Sequence, residues 1–240
     1  MLRKSDFIEQ LECIQKSGIP VLALEQYLLY GSKEPKGIII TFDDGNLSDY
    51  TIAIPLLKAY SMTASFYPVI ADMGKEEKIN WNQLREINAQ GHEVGSHSIN
   101  HLDMLRLSPE EQTYELTNSK KTLEQKLEQE ITVFSVPFGR YNRRILRRIK
   151  ASRYRAALSS NKRVNRNHAA PVLHRWNIKE GMSIVAFNKI VTFHRGTLIR
   201  NLIWSERIRF ASQIVPLPLM LWAQASLSKL FSWKPSSPFR

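Results

Sequence analysis

The feature that most restricts what this chain can fold into is an apolar run that ends in charge: Ile38-Ile39-Ile40-Thr41-Phe42, followed at once by Asp43-Asp44-Gly45. A continuous β-branched run reads as a strand buried on both faces, the kind found in parallel sheets covered by helices. Gly45 permits a sharp turn directly after it. Side chains alternate along a strand, so Asp43 and Asp44 are expected to point different ways, one free to bind an ion and the other to handle a proton. A nearby cation would let both acids stay ionised despite their mutual repulsion. Taken alone, the same residues also fit a solvated Asp-Asp-Gly turn.

A second stretch, Gly91-His92-Glu93-Val94-Gly95-Ser96-His97-Ser98-Ile99-Asn100-His101, carries His97 and His101 four apart after a short strand-like segment. That spacing predicts two imidazoles on one side of a helical turn, able to meet one ion, and neutral imidazole suits zinc. Elsewhere apolar periodicity alternates between helix and strand. Helix is expected over 6–17 behind Ser5, strand over 21–24, a helical turn over 25–30 and a loop over 31–36 before the Asp-Asp strand. A helix with Tyr50, Ile54 and Leu57 follows, then strand over 63–69, a helix opened by Asn80 and Gln83, and the His97 strand. Ser108-Pro109-Glu110-Glu111 opens a longer helix, succeeded by strand over 132–136, a basic helix over 145–152, strand over 156–158 and a last helix around Phe187, Ile190 and Val191. Such alternation implies an α/β fold of parallel strands with helical crossovers, whose strand C-termini carry the site.

Together these residues resemble the polysaccharide deacetylase family, carbohydrate esterases that share the NodB-homology domain. Thr41-Phe42-Asp43-Asp44-Gly45 matches the family's first motif, and His97, Ser98 and His101, led in by Gly91-His92-Glu93, match its second. Ser135-Val136-Pro137-Phe138-Gly139 matches its third in part, and the likeness runs over residues from about 5 to 180. The resemblance implies a distorted, incomplete (β/α) barrel and a metal-dependent hydrolase that deacetylates N-acetylhexosamine units of a polysaccharide or glycolipid-linked sugar. It implies Asp43 as general base and Asp44, His97 and His101 as ligands of a divalent metal, zinc first, with cobalt, nickel or iron as alternatives. A backbone N–H in the Pro137-Phe138-Gly139 loop would join the ion in stabilising the oxyanion.

Two departures from the family pattern stand out. Ser135 replaces the arginine that pairs with the base, while Leu173-His174-Arg175-Trp176-Asn177-Ile178 is similar to a Leu-Pro-Arg-Ile-x-Val segment of one subgroup. Arg175 is therefore the candidate for the missing charge, with a surface arginine as the alternative. The general acid is the second departure. The family's late Leu-x-x-His motif and early Tyr-His strand have no clean copy here, which leaves His174 and His194, then His92 and His168, as candidates.

At 240 residues, with 43% hydrophobic and 23% charged, the chain suits one globular domain, expected over 1–195, and a basic and apolar extension over 196–240. Cys13 is the only cysteine, which excludes an internal disulfide and a cysteine-rich metal site. The formal charge is +12, and no acid interrupts the cations from Arg140 to Arg166. This patch suits phosphate, an anionic membrane or an acidic glycan, or else is a solvated helix face; a nucleic-acid reading lacks interleaved aromatics. Ile214 to Trp222, flanked by Arg207, Arg209, Lys229 and Lys234, reads as an apolar segment that lies on a membrane or docks on the barrel, giving peripheral membrane contact through 200–234. Met1-Leu2-Arg3-Lys4 has no apolar run behind it, so no signal peptide is expected and the chain reads as cytoplasmic or membrane-peripheral. A rival reading, built on Ser135, the absent acid and the basic patch, is a deacetylase-like protein without turnover that binds an anionic glycan or membrane.

Overall fold

The Ile38–Phe42 run forms the lead-in and body of one strand in a curved parallel sheet, seen in a computed structural model that describes residues 3–30, 37–165 and 167–193. The elements are α1 (Lys4–Ser17), α2 (Leu24–Tyr30), β1 (Thr41–Asp43), α3 (Ile54–Ala59), β2 (Ser65–Tyr67), α4 (Trp81–Ala89), β3 (Glu93–Val94), α5 (Pro109–Leu127), β4 (Val133–Ser135), α6 (Arg143–Ala151), β5 (Ala156–Ser159), β6 (Val172–His174) and α7 (Ile184–Val191). β1, β2 and β3 pair in parallel, as do β4, β5 and β6, and a parallel bridge between Ser96 and Phe134 joins the two sets. Among the described residues no ladder joins β6 back to β1. The result is the expected α/β architecture, a distorted barrel left incomplete.

Strand alternation separates two cores. Ile38, Ile40, Phe42, Phe66, Val94, Phe134, Val136, Ala157 and Val172 pack outward with Leu11, Leu57, Leu84, Leu116 and Ile145 of the helices. Ile39, Tyr67, Val133, Ala156, Leu158 and Leu173 face inward and meet Leu24 and Leu28 of α2. The strand expected over 21–24 shrinks to one bridge, Val21 to Ile38, because Leu24 already begins α2. The cause is inside the barrel: the Glu93 carboxylate accepts the amides of Leu24 and Glu25 at 3.0 and 2.8 Å, satisfying donors that a helix start leaves open. The capping boxes read at Asn80–Gln83 and Ser108–Glu111 are both formed.

α6 is capped by the Asn142 side chain and buries Ile145 and Ile149. Its like charges at 143/147 and 144/148 each cost the helix roughly 0.2–0.5 kcal/mol. The extension expected over 196–240 lies outside the described residues, as does the loop over 31–36. Among the described residues no helix is long and apolar enough to cross a membrane.

Inward packing leaves no room at Gly95, where an added Cβ would come within 2.3 Å of Tyr67 Cε1 and 2.8 Å of the Val133 carbonyl oxygen. Gly95→Ala is expected to lower unfolding stability by about 1–3 kcal/mol, read from the denaturant midpoint. An unchanged midpoint would show that the Tyr67 ring yields freely.

Candidate active site

Asp43 ends β1 facing inward, and Asp44 then adopts a left-handed φ of 70°. That turn corrects the expectation that the two acids point apart: it swings Asp44 back so that both carboxylates approach one centre. Aspartate tolerates this conformation better than most residues. Two further groups shape the turn. The buried Asp49 accepts the Asn46 amide at 2.9 Å, and the Lys78 ammonium donates to the Asp44 carbonyl and to Asn46 Oδ1, each at 3.0 Å.

His97 and His101 are not on a helical turn. They sit in the loop after β3, which reverses through left-handed φ values of 71° at Ser98 and 53° at His101. The buried Glu115 of α5 holds this loop by accepting the Ile99 and Asn100 amides at 2.8 and 2.9 Å and the Asn100 side chain at 2.6 Å. No local pattern marks Glu115 in the sequence, since it falls among the core positions of an ordinary amphipathic helix.

Asp44, His97 and His101 each offer one ligand atom, and these lie within 4.8 Å of one another. Asp44 Oδ1 is 3.4 Å from His97 Nε2 and 3.5 Å from His101 Nε2. A tetrahedron with bonds of about 2.1 Å has edges of about 3.4 Å, so the donor set fits a zinc-sized ion. His97 Nδ1 lies 2.8 Å from the Ser135 carbonyl oxygen, which assigns the proton to Nδ1 and leaves the Nε2 lone pair for the ion. Burial, and then the neighbouring His97, push the His101 ring below its usual range and favour its neutral form. The adjacent His97 ring, set against partial burial, holds Asp44 low. One carboxylate and two imidazoles, with open positions left over, make a group able to hold a metal ion.

Arg175, just beyond β6, reaches across the open side of the barrel. Its Nη1 and Nη2 donate to Asp43 Oδ1 and Oδ2 at 2.8 and 2.7 Å, and also to Thr41 Oγ1 at 3.2 Å and Ser135 Oγ at 2.8 Å. Ser135 Oγ in turn donates to Asp43 Oδ1 at 3.1 Å. Ser135 is therefore a partner of Asp43, a role its departure from the family pattern does not announce. Burial pushes the Asp43 carboxyl up, but the Arg175 charge and then His97 outweigh it and keep it below the usual range.

His174 is the neighbour of Arg175, and alternation sends its ring to the helix side of the sheet, where Nδ1 lies 2.8 Å from Ser159 Oγ. The structure does not bring it to the Asp43 side. His92 is buried on that same helix side, its Nδ1 accepting the Ala64 amide at 3.3 Å. His168 packs edge-on against Tyr27, and His194 lies outside the described residues. Of Pro137, Phe138 and Gly139, the ring of Phe138 lies beside the centre. Phe138 is 59% exposed and has a left-handed φ of 59°, and its ring lies 4.7 Å from the His101 ring. An Arg140–Asp103 ion pair ties this loop to the one bearing His101.

The parallel strands of an incomplete α/β barrel thus bring an Asp-His-His group able to hold a metal ion beside an arginine-held carboxylate. A sequence model described as polysaccharide deacetylase matches residues 30–157, and the chain belongs to that family. It is 30% identical over 193 residues to YxkH of Bacillus subtilis (strain 168), provisionally named a polysaccharide deacetylase, covering 78% of this chain and 69% of that one. It is 32% identical over 126 residues to a peptidoglycan-N-acetylglucosamine deacetylase of Bacillus cereus, covering 52% of this chain and 57% of the relative. The solved Streptococcus pyogenes deacetylase PplD in complex with acetate superposes with a TM-score of 0.71 at 25% identity, over 78% of this chain and 86% of that chain. IcaB from Ammonifex degensii shares the fold, with a TM-score of 0.72 at 20% identity over 80% and 90% of the two chains.

Asp49 gives the site's clearest pH signature. Burial, opposed by its Asn46 bond and by Lys78, raises its carboxyl from 3.8 to about 7. Between those values the folded state holds a proton that the unfolded chain has lost. The contribution is full below the unfolded value and is lost as pH rises through the folded one. Asp49→Asn keeps an acceptor and removes the titration. Its stability relative to the parent, from denaturant unfolding between acid and mildly alkaline pH, is expected to rise by roughly 2–4 kcal/mol across the window. A flat difference would show that Asp49 is ionised in the fold throughout.

Proposed function

We propose that this chain is a metal-dependent hydrolase that removes the acetyl group from N-acetylhexosamine units of a polysaccharide or glycolipid-linked sugar. The observation that carries the reading is the pairing of a fixed, ionised Asp43 with the adjacent Asp44, His97 and His101 ligand group. Family membership and the named activity of the Bacillus cereus relative support the choice of an acetamide as the bond attacked.

A divalent cation held by Asp44, His97 and His101 would polarise the acetamide carbonyl and acidify a water molecule. Arg175 occupies one edge of the Asp43 carboxylate through both oxygens, which leaves Oδ2 with a lone pair toward His97 Nε2, 4.0 Å away. Asp43 takes the proton of the attacking water there, and the water oxygen bonds to the carbonyl carbon. The oxyanion needs a donor from the loop after β4. Pro137 has no N–H and the Gly139 amide is spent on the Val136 carbonyl at 2.8 Å, so Phe138 N–H is the donor assigned. As the C–N bond breaks, the proton on Asp43 returns to the departing nitrogen, leaving acetate and a free amine. His174 faces the other side of the sheet, so it is not assigned this transfer.

Acetate release from N-acetylglucosamine oligomers should appear with zinc- or cobalt-loaded protein and vanish with a chelator. Asp43→Asn should lower kcat about 100-fold or more while metal content and fold persist; undiminished release would remove Asp43 as the base. Arg175→Gln removes the strongest of the groups that oppose burial at Asp43 and leaves His97 alone against it, so the acid limb of the kcat/KM profile should move to higher pH by about one unit or more. An unmoved limb would mean that Arg175 does not set the ionisation of the base.

A further inference from the structure

α6 carries its cations at a cost to the fold. Ile145 and Ile149 face the core, while Arg143, Arg144, Arg147 and Lys150 are exposed and Arg148 is half-buried at the flank. Arg143 and Arg144 stand in the first turn, where the helix dipole disfavours positive charge, and like charges follow at one-turn spacing. The lysines and arginines that pair with carboxylates among the described residues are Arg3, Lys16, Lys75, Arg106, Lys120, Arg140 and Arg175. None of Arg143, Arg144, Arg147, Arg148, Lys150, Arg153 or Arg155 is among them. Their charge has no carboxylate counterpart among the described residues, which leaves it open to the anions of a partner.

We propose that the outward face of α6 docks this protein on a bilayer rich in anionic phospholipid. Two observations favour a bilayer over a soluble polyanion. The cations lie on the convex face of a helix about 13 Å long, whereas a tracked polymer is held in a groove with stacking aromatics, and the exposed residues of α6 include no aromatic side chain. In addition, the sequence from 199 to 240 holds six Lys and Arg, one acid, Glu206, and Trp204, Trp222 and Trp233 around the apolar Ile214–Trp222 stretch, a composition suited to a lipid–water interface. This inference stands apart from the deacetylase reading.

Cosedimentation of the full chain with phosphatidylcholine vesicles, with and without phosphatidylglycerol, tests it. The parent protein is expected to bind only the anionic vesicles, less as salt rises. R143Q/R144Q/R147Q/K150Q should bind them on the order of 100-fold more weakly, with a thermal midpoint equal to or above that of the parent and unchanged acetate release from soluble oligomers. Neutralising Lys4, Lys16, Lys75 and Lys121 instead removes the same charge and should leave most of the binding. Equal loss in both variants, parent-like binding by the α6 variant, equal binding to neutral vesicles, or retention by soluble polyglutamate without vesicle binding would each overturn the proposal.

Discussion

Two parallel hydrogen bonds between the Arg175 guanidinium and the Asp43 carboxylate organise this molecule's chemistry. The arginine side chain is only 13% exposed, so its charge is largely removed from water, and such a pair is a poor source of net stability. What the pair supplies is orientation: the planar fork fixes both carboxylate oxygens and selects which lone pairs remain. Ser135 Oγ and Thr41 Oγ1 complete the set of acceptors around the two terminal nitrogens, and the guanidinium carbon lies 5.8 Å from the centre of the Tyr67 ring. Among the described residues Arg175 Nε is buried without a hydrogen-bond partner, a local cost at the centre of the site.

The barrel interior serves that pair as a polar column inside an apolar wall. At one end Glu93 accepts two amides of α2 and the Ser65 hydroxyl, which closes the N-terminal side of the strands. At the other, Asp43, His97 and Arg175 open toward the loops. Tyr67 fills the space between, and Gly95 is the absence of a side chain that lets it. Outside the barrel, Glu115 does for the His97–His101 loop what Glu93 does for α2: a buried carboxylate absorbs backbone donors that the local conformation leaves unpaired.

Much of this was legible in the sequence, for identifiable reasons. Helix starts marked by Asn80, Gln83, Ser108 and Glu111 were readable because their capping bonds are local. The order of strands and helices through β5 followed from apolar periodicity, but β6, the strand that ends beside Arg175, was not read from it. The His97–His101 spacing gave the right partners through the wrong geometry: a separation of four suits a helical turn, but left-handed residues at Ser98 and His101 reach the same convergence by a loop. Glu115 and the bonding of Ser135 were hidden because both depend on contacts between residues far apart in the chain. His174 and Arg175 were read together although adjacent residues of an extended segment face opposite sides, a constraint already present in the sequence.

Closure of the barrel by a side chain where a strand ladder is missing also has a temporal meaning. The whole Asp-His-His group falls between Asp44 and His101, yet the guanidinium that orients Asp43 lies 132 positions beyond it. During synthesis the ligand set emerges from the ribosome well before the group that makes the neighbouring carboxylate useful. A chain captured midway would hold the groups for an ion next to an unoriented carboxylate. Among the described residues, the last strand to be made is thus the one that brings in the group that orients Asp43.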